Sequence, residues 1–368
     1  MTITFHEHRV TTDDVRRPAL PSLTGMRAVA AVSVFLFHLA IQAEDLPYGI
    51  DLLHVSADPD IRSTYLFLVG TLGQTAVSFF FVLSGFILTW SARPETVGRF
   101  WRRRLVKIYP LHLATYPLGV LLLTGAGTSA ADVPGLFLVQ SWIPDYRFTV
   151  AGNGPSWSIS TELFFYLMFP LLLCWLGRVP PRRSGLTLVA LVSAVVVVAV
   201  VSDLTLSPSG QVWLGYVFPP VRALEFVMGI VLARMVIAGR WTGPSLGWSA
   251  ALLAAASVVA LFVPKAYAFA AVTIVPVMLT IAAAARNDLA GRRGFLSTPA
   301  MDWLGRISFA FYLAHLPVLA AMRRLVGQDQ SYGVPGLLLF VGASLAVTVL
   351  LAWALHVFVE KPAMRRWG

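Results

Sequence analysis

An arginine and a histidine stand eleven residues apart in an apolar stretch near the start of the chain. Ten mostly apolar residues separate Arg27 from His38. At about 100° and 1.5 Å per residue, the two would share one face of a helix, about 16 Å apart along its axis. Histidine changes charge near neutral pH, so it can take a proton from a reacting hydroxyl. The same spacing also fits a snorkelling arginine and a histidine bonded to a neighbouring helix.

Glu162 is a carboxylate in a second apolar stretch. Ser158, Glu162 and Tyr166 follow each other at intervals of four residues and would share a helix face. Because Glu162 and His38 are predicted to lie at a similar membrane depth, we expect the two side chains to meet. In the sixth apolar stretch, Arg222 and Glu225 are three residues apart and are expected to neutralise each other.

The densest run of cations precedes a third apolar stretch. Arg103, Arg104 and Lys107 stand directly before Tyr109-Pro110. Arginine forks match phosphate geometry, so these cations could hold a phosphorylated ligand. A topogenic anchor is the alternative interpretation. Ser84 offers a hydroxyl that could contact a ligand. The adjacent Gly85 has no side chain, so it favours close packing of its helix against a neighbouring helix.

These groups lie in a chain with very little charge. Only 12% of its 368 residues are charged and 57% are hydrophobic, whereas soluble domains carry about 25% charged residues. This composition excludes a soluble enzyme, a disordered chain and a nucleic-acid binder, despite a net charge of +10. The sequence predicts an all-α integral membrane protein with about ten transmembrane helices. The predicted spans are 24–43, 64–90, 104–125, 156–176, 185–203, 212–237, 246–263, 266–285, 303–322 and 335–358.

The distribution of lysine and arginine predicts the orientation. If the N-terminus is cytoplasmic, 20 of the 28 basic residues lie in cytoplasmic segments and five in the opposite loops. We therefore expect both termini in the cytoplasm, with tails at 1–20 and 363–368 around a transmembrane domain at 21–362.

The single cysteine, Cys174, allows neither an intrachain disulfide nor a cysteine metal cluster, and no metal is expected.

The order and spacing of seven segments resemble membrane-bound acyltransferase family 3, which includes bacterial sugar O-acetyltransferases and macrolide O-acyltransferases. The chain departs from the family pattern at Lys107, where an arginine is usual, and at Thr161, where many members have a second glutamate. The segments that carry the resemblance are Arg27 to His38, 79–86, 103–110, Trp157 to Glu162, Arg222 to Phe226, Leu304 to His315 and Glu360 to Pro362.

The resemblance implies transfer of an acetyl or short-chain acyl group from acyl-CoA to a hydroxyl of a carbohydrate or a glycosylated small molecule. It implies a multi-pass protein of the bacterial cytoplasmic membrane. His38 is expected to be the general base, with Arg27 on the donor or oxyanion and Glu162 on the imidazole or the acceptor. The CoA phosphates are expected at Arg103, Arg104 and Lys107. Substrate contacts are expected from Ser84, Trp157, Ser158 and Tyr166.

Two other functions fit parts of the pattern. Buried charges in many spans also suit a transporter or exporter of a glycosylated or lipid-linked product, although the chain has no inverted repeat. Another class of membrane acyltransferase carries its histidine in the later half of the chain, which would assign catalysis to His315. Two classes of acceptor remain open, an antibiotic glycoside and a cell-surface polysaccharide.

Overall fold

The structure is a computed structural model that describes residues 17–39, 58–123, 129–327 and 331–368. These residues form α-helices joined by short 3₁₀ and π-helical segments, and they contain no β-strand, so the predicted all-α class is confirmed. The α-helices are α1 (Pro21–His38), α2 (Pro59–Val69), α3 (Leu72–Trp90), α4 (Val97–Leu123), α5 (Asp132–Leu136), α6 (Tyr146–Val150), α7 (Ser156–Gly177), α8 (Ser184–Thr205), α9 (Pro208–Gln211), α10 (Pro219–Ile237), α11 (Leu246–Val259), α12 (Lys265–Ala268), α13 (Ile274–Leu289), α14 (Pro299–Val326), α15 (Val334–Leu355) and α16 (Lys361–Trp367).

Six helical stretches in the described ranges are long and apolar enough to cross a membrane. Each of the ten predicted segments contains a helix, but the predicted count of about ten spans is not confirmed. Four of the predicted segments contain helices that are not among these six. They are α1 and α10, which carry ionisable residues, and α11 and α13, which have 14 and 16 residues. The six stretches are Pro59–Trp90, Val97–Leu123, Ser156–Gly177, Pro181–Thr205, Pro299–Val326 and Val334–Trp367.

Helices α3 and α10 pack together at the centre of the bundle, with α1 against α3 and α14. Gly85 faces the backbone of Phe226, and Gly229 faces the backbone of Val82. A β-carbon at either glycine would overlap the opposing main chain, so the two backbones approach closely here. The close packing predicted from Gly85 is therefore present.

The first turn of α1 is held by a carboxylate from α13. Asp288 accepts hydrogen bonds from the Ser22 amide at 2.9 Å and from the Ser22 hydroxyl at 2.6 Å. This satisfies a backbone donor of the first turn and places a negative charge at the positive end of the helix. Burial raises the pKa of Asp288, and the bonds from Ser22 oppose that shift. The contact fixes the beginning of α1, one and a half turns before Arg27.

The segment before α7 braces the start of that helix. Gln140 donates to the Ser156 hydroxyl at 3.1 Å, and the Ser141 hydroxyl donates to the Trp157 carbonyl at 2.7 Å. The Asn153 amide donates to the Leu313 carbonyl on α14 at 2.8 Å. These bonds set the position of α7 against α14 and hence the direction of the polar side chains that follow on α7.

Candidate active site

A cavity of about 150 Å³ lies between helices α1, α3, α4, α7 and α14. Seven of the ten site residues predicted from the sequence line it, although they come from four helices that are distant in the chain. These residues are Arg27, Ser84, Arg104, Lys107, Ser158, Glu162 and Tyr166. The structure therefore brings most of the predicted site together.

Glu162 lies in the middle of this cavity wall and is bonded to hydroxyls. One carboxylate oxygen accepts from Ser84 at 3.1 Å and from Tyr166 at 2.6 Å. Among the described residues Glu162 has no ion-pair partner. No hydrogen bond joins Glu162 to His38 among the described residues, because the bonds of His38 go to the Val34 carbonyl and to His315.

One end of the cavity is basic and is formed by Arg27, Arg104 and Lys107. Arg27 and Arg104 form no ion pair within the described ranges. The Arg104 guanidinium lies 5.7 Å from the ring centre of Tyr166. Lys107 is held by Glu360, which also contacts His356 at 2.9 Å. Two positive groups in the basic end thus have no carboxylate partner in the described part of the chain.

The opposite end of the cavity carries two buried hydroxyls, Ser158 and Tyr312, and is called the hydroxyl end below. They lie 2.8 Å apart, and both are bonded to the Pro155 carbonyl. Ser158 and Tyr166 are eight residues apart on α7, so the two ends are separated by about 12 Å along this helix. The wall between them is mainly apolar and includes Phe80, Phe81, Leu83, Ile87 and Ile159.

His38 ends α1, next to the hydroxyl end but outside the cavity lining. Its Nδ1 lies 2.8 Å from the Val34 carbonyl oxygen and 3.1 Å from Nε2 of His315. His315 is buried, and its ring centre lies 5.7 Å from that of Tyr312. Both Tyr312 and His315 lie in the segment Leu304 to His315 that carries the family resemblance, but sequence reasoning did not predict that His315 meets His38.

Two further predicted residues lie outside the cavity lining. Arg103 pairs with Glu95 beside a smaller pocket that Arg104 also borders. Trp157 packs its ring against Tyr216, with ring centres 4.8 Å apart. Their assigned roles stay predictions.

Arg222 and Glu225 form the buried ion pair that their spacing predicts. Their charged atoms are 2.8 Å apart, and the Ser78 hydroxyl accepts from Arg222 at 3.1 Å.

Glu360 is a functional candidate whose contact with Lys107 the sequence did not indicate. In the part of the chain that the structure describes, no group of three or more His, Cys, Asp or Glu side chains could hold a metal ion.

One family of known proteins matches almost the whole chain. The family model of the acyltransferase domain of family 3 matches residues 20–357, which is nearly the whole chain. The chain belongs to this acyltransferase family. It is therefore an acyltransferase and, with six apolar helices of membrane-spanning length, a multi-pass membrane protein.

Three relatives from different bacteria are similar to the chain. The chain is 42% identical to acyltransferase MdmB of Streptomyces mycarofaciens over 95% of this chain and 92% of the relative. It is 28% identical to the exopolysaccharide production protein ExoZ of Rhizobium meliloti over 80% and 91% of the two chains. It is 22% identical to O-acetyltransferase OatA of Staphylococcus aureus over 94% of this chain and 57% of OatA. No solved structure matches the chain.

Proposed function

We propose that this acyltransferase moves an acetyl or short-chain acyl group from acyl-CoA to a hydroxyl of a carbohydrate or of a glycosylated small molecule such as a macrolide. The observation that carries the proposal is the polarity of the cavity. Arginines without an ion-pair partner among the described residues lie at one end, two hydroxyls lie at the other with the histidines beside them, and a mainly apolar wall that includes Glu162 lies between. An acyl-CoA has the same polarity, since its anionic phosphates and its thioester stand at opposite ends of an extended arm.

In this proposal the basic end of the cavity holds the phosphates of acyl-CoA and the start of the extended arm that links them to the thioester. Arg104 supplies a planar fork, whereas Lys107, held by Glu360, supplies a point charge. Arg103 assists from the neighbouring pocket once its contact with Glu95 is exchanged for phosphate. Arg27 contacts the arm, because it lines the cavity on the same face of α1 as His38.

The reaction takes place near the hydroxyl end. The acceptor hydroxyl attacks the thioester carbonyl while Nε2 of His38 takes its proton, and the carbon–sulfur bond then breaks. The protonated His38 returns the proton to the leaving thiolate, so the products are an ester and free CoA thiol. Glu162, Ser84, Trp157, Ser158 and Tyr166 orient the substrates.

The acceptor class follows from the relatives in this proposal. Similarity to the exopolysaccharide production protein ExoZ supports a polysaccharide acceptor, and the resemblance to a family that includes macrolide O-acyltransferases supports a glycosylated small molecule. The basic segments support a cytoplasmic position for both termini and for the basic end, where acyl-CoA is available. The protein would then be located in the bacterial cytoplasmic membrane.

Purified protein incubated with acetyl-, propionyl- and longer acyl-CoA donors and with candidate glycosides tests the proposal. Free thiol and acylated product are expected to form in equal amounts, and His38→Ala is expected to lower turnover about 100- to 10,000-fold. His112→Ala is the matched control, because His112 is buried and bonded to the Gly135 carbonyl at 3.1 Å.

Three results would contradict parts of the proposal. Full turnover in His38→Ala would remove the general base. Loss of turnover in His315→Ala alone would assign catalysis to the later histidine. Transport of a glycoside by reconstituted protein, without consumption of acyl-CoA, would replace the enzyme with a transporter.

A further inference from the structure

His38 and His315 approach each other through ring nitrogens, and they are called the histidine pair below. Nδ1 of His38 lies 3.1 Å from Nε2 of His315, and the ring centres are 4.8 Å apart. His315 is completely buried, whereas His38 is partly exposed at the end of α1. Among the described residues, neither member of the pair contacts a carboxylate.

Backbone carbonyls fix the protons of the neutral pair. Nδ1 of His315 lies 2.5 Å from the Tyr312 carbonyl oxygen, and a carbonyl only accepts, so this nitrogen carries the proton. Nε2 of the neutral His315 is then an acceptor. Nδ1 of His38 faces this acceptor and the Val34 carbonyl at 2.8 Å, so it also carries a proton. Nε2 of His38 is left unprotonated and makes no hydrogen bond within the described ranges.

We propose that His315 is a positioning residue that holds His38 in the tautomer and orientation needed for a general base. This inference rests on the proposed role of His38. In many enzymes a carboxylate orients the catalytic imidazole, and the sequence suggested Glu162 for that task. Here a second imidazole, itself oriented by the Tyr312 carbonyl, occupies the position next to Nδ1.

The histidine pair also stabilises the positive charge that appears on His38 during the reaction. When Nε2 of His38 takes the acceptor proton, the positive ring keeps its Nδ1 proton between two acceptors, His315 Nε2 and the Val34 carbonyl. A hydrogen bond from a charged donor is stronger than one from a neutral donor. The proton then leaves from Nε2 to the thiolate, so His315 ends each cycle unchanged.

Packing around His315 makes this arrangement specific. The Phe311 ring stacks on the imidazole, with an angle of 10° between the planes, and Tyr312 packs on it at 5.7 Å. Since His315 is completely buried, water cannot readily replace its nitrogen as the partner of His38. Tyr312 is the titratable side chain that α14 places between this pair and the cavity.

Two amide substitutions separate positioning from simple packing. In His315→Gln the side-chain oxygen can reach the position of Nε2 and accept from His38. In His315→Asn the amide reaches only the position of Nδ1 and can donate to the Tyr312 carbonyl. We expect His315→Asn to lower kcat about 10- to 100-fold with an unchanged KM for acyl-CoA, and His315→Gln to restore most of that loss.

Controls distinguish this inference from the proposed function. His112→Gln and His112→Asn, at the other buried histidine, are expected to leave kcat unchanged. Equal activity of the two His315 variants, whether high or low, would overturn the positioning role even if His38→Ala is inactive. Full activity of His38→Ala would instead overturn the proposed function.

A measurement on the unsubstituted protein keeps the inference testable if the His315 variants do not fold. In protein labelled with nitrogen-15 in histidine, magic-angle-spinning NMR distinguishes protonated from unprotonated ring nitrogens. We expect a protonated Nδ1 and an unprotonated Nε2 for His38, with its signals assigned by their loss in His38→Gln. A protonated Nε2 on neutral His38 would overturn the proposal.

Discussion

Two glutamates near the centre of the bundle are held in opposite ways. Glu225 on α10 pairs with Arg222 at 2.8 Å, and both side chains are almost completely buried. Glu162 on α7 receives hydrogen bonds from Ser84 and Tyr166 but, among the described residues, no ion pair. Glu162 also lines the cavity, which Glu225 does not.

The difference shows which of the two charges is available for substrate. The Arg222–Glu225 pair neutralises itself and supports the packing of α3 against α10, where Ser78 joins it. In the cavity, Glu162 shares the lining with Arg27 and Arg104, which have no carboxylate partner in the described ranges. Burial of a charge is costly, so a charge that lines a cavity without an ion-pair partner among the described residues is the better candidate for a functional role.

The largest expected effect is loss of the buried pair. Glu225→Ala leaves the Arg222 guanidinium buried without its carboxylate, which costs about 3–5 kcal/mol of stability. We expect a marked fall in the melting temperature in detergent. The double variant Arg222→Met with Glu225→Leu should recover most of that stability and retain acyl transfer. An inactive but stable double variant would show that this pair also takes part in the reaction.

A smaller effect, on catalysis only, is expected at the other glutamate. Glu162→Gln keeps the size of the side chain but removes the charge that accepts from Ser84 and Tyr166. In the proposed function this charge also orients a substrate, and a hydrogen bond from the substrate to a charged group contributes about 1.5–3 kcal/mol, so kcat/KM should fall about 10- to 100-fold. The amide oxygen of the variant can still accept from Ser84 and Tyr166. The melting temperature should stay close to that of the unsubstituted protein. A large loss of stability with normal turnover would make the two glutamates equivalent.

The smallest expected effect concerns donor affinity at the basic end. Arg104→Ala removes a fork that pairs with no carboxylate of the described residues, and the KM for acyl-CoA should rise about tenfold while kcat changes little. Arg102→Ala is the matched control, because Arg102 is exposed and does not line the cavity. An unchanged KM in Arg104→Ala would exclude phosphate binding at this end.

The sequence predicted the members of the site better than their contacts. Helical spacing correctly grouped Ser158 with Glu162 and Tyr166, because such positions are set by local geometry. It could not show that His38 meets His315, since that contact joins α1 to α14 across 277 positions of the chain. The expected partner, Glu162, was chosen on depth alone, and depth does not specify which helix faces which.

The ion pair between Lys107 and Glu360 is a second contact that the sequence could not predict. Both residues belong to motifs that the sequence resemblance identified, but they are 253 positions apart in the chain. Their contact depends on how α4 packs beside the π-helical segment at His356–Glu360, and local pattern carries no information on that packing.

The contact between Gly85 and the backbone of Phe226 has a consequence for mutational scans. Ser84, the residue before Gly85, donates to Glu162 at 3.1 Å. The position of the Ser84 hydroxyl therefore depends on how close α3 lies to α10. A methyl group at position 85 would push the two helices apart and carry this hydroxyl with α3. In a scan scored by product formation, Gly85 would therefore rank with the catalytic machinery, although its own atoms face away from the chemistry and meet only another main chain.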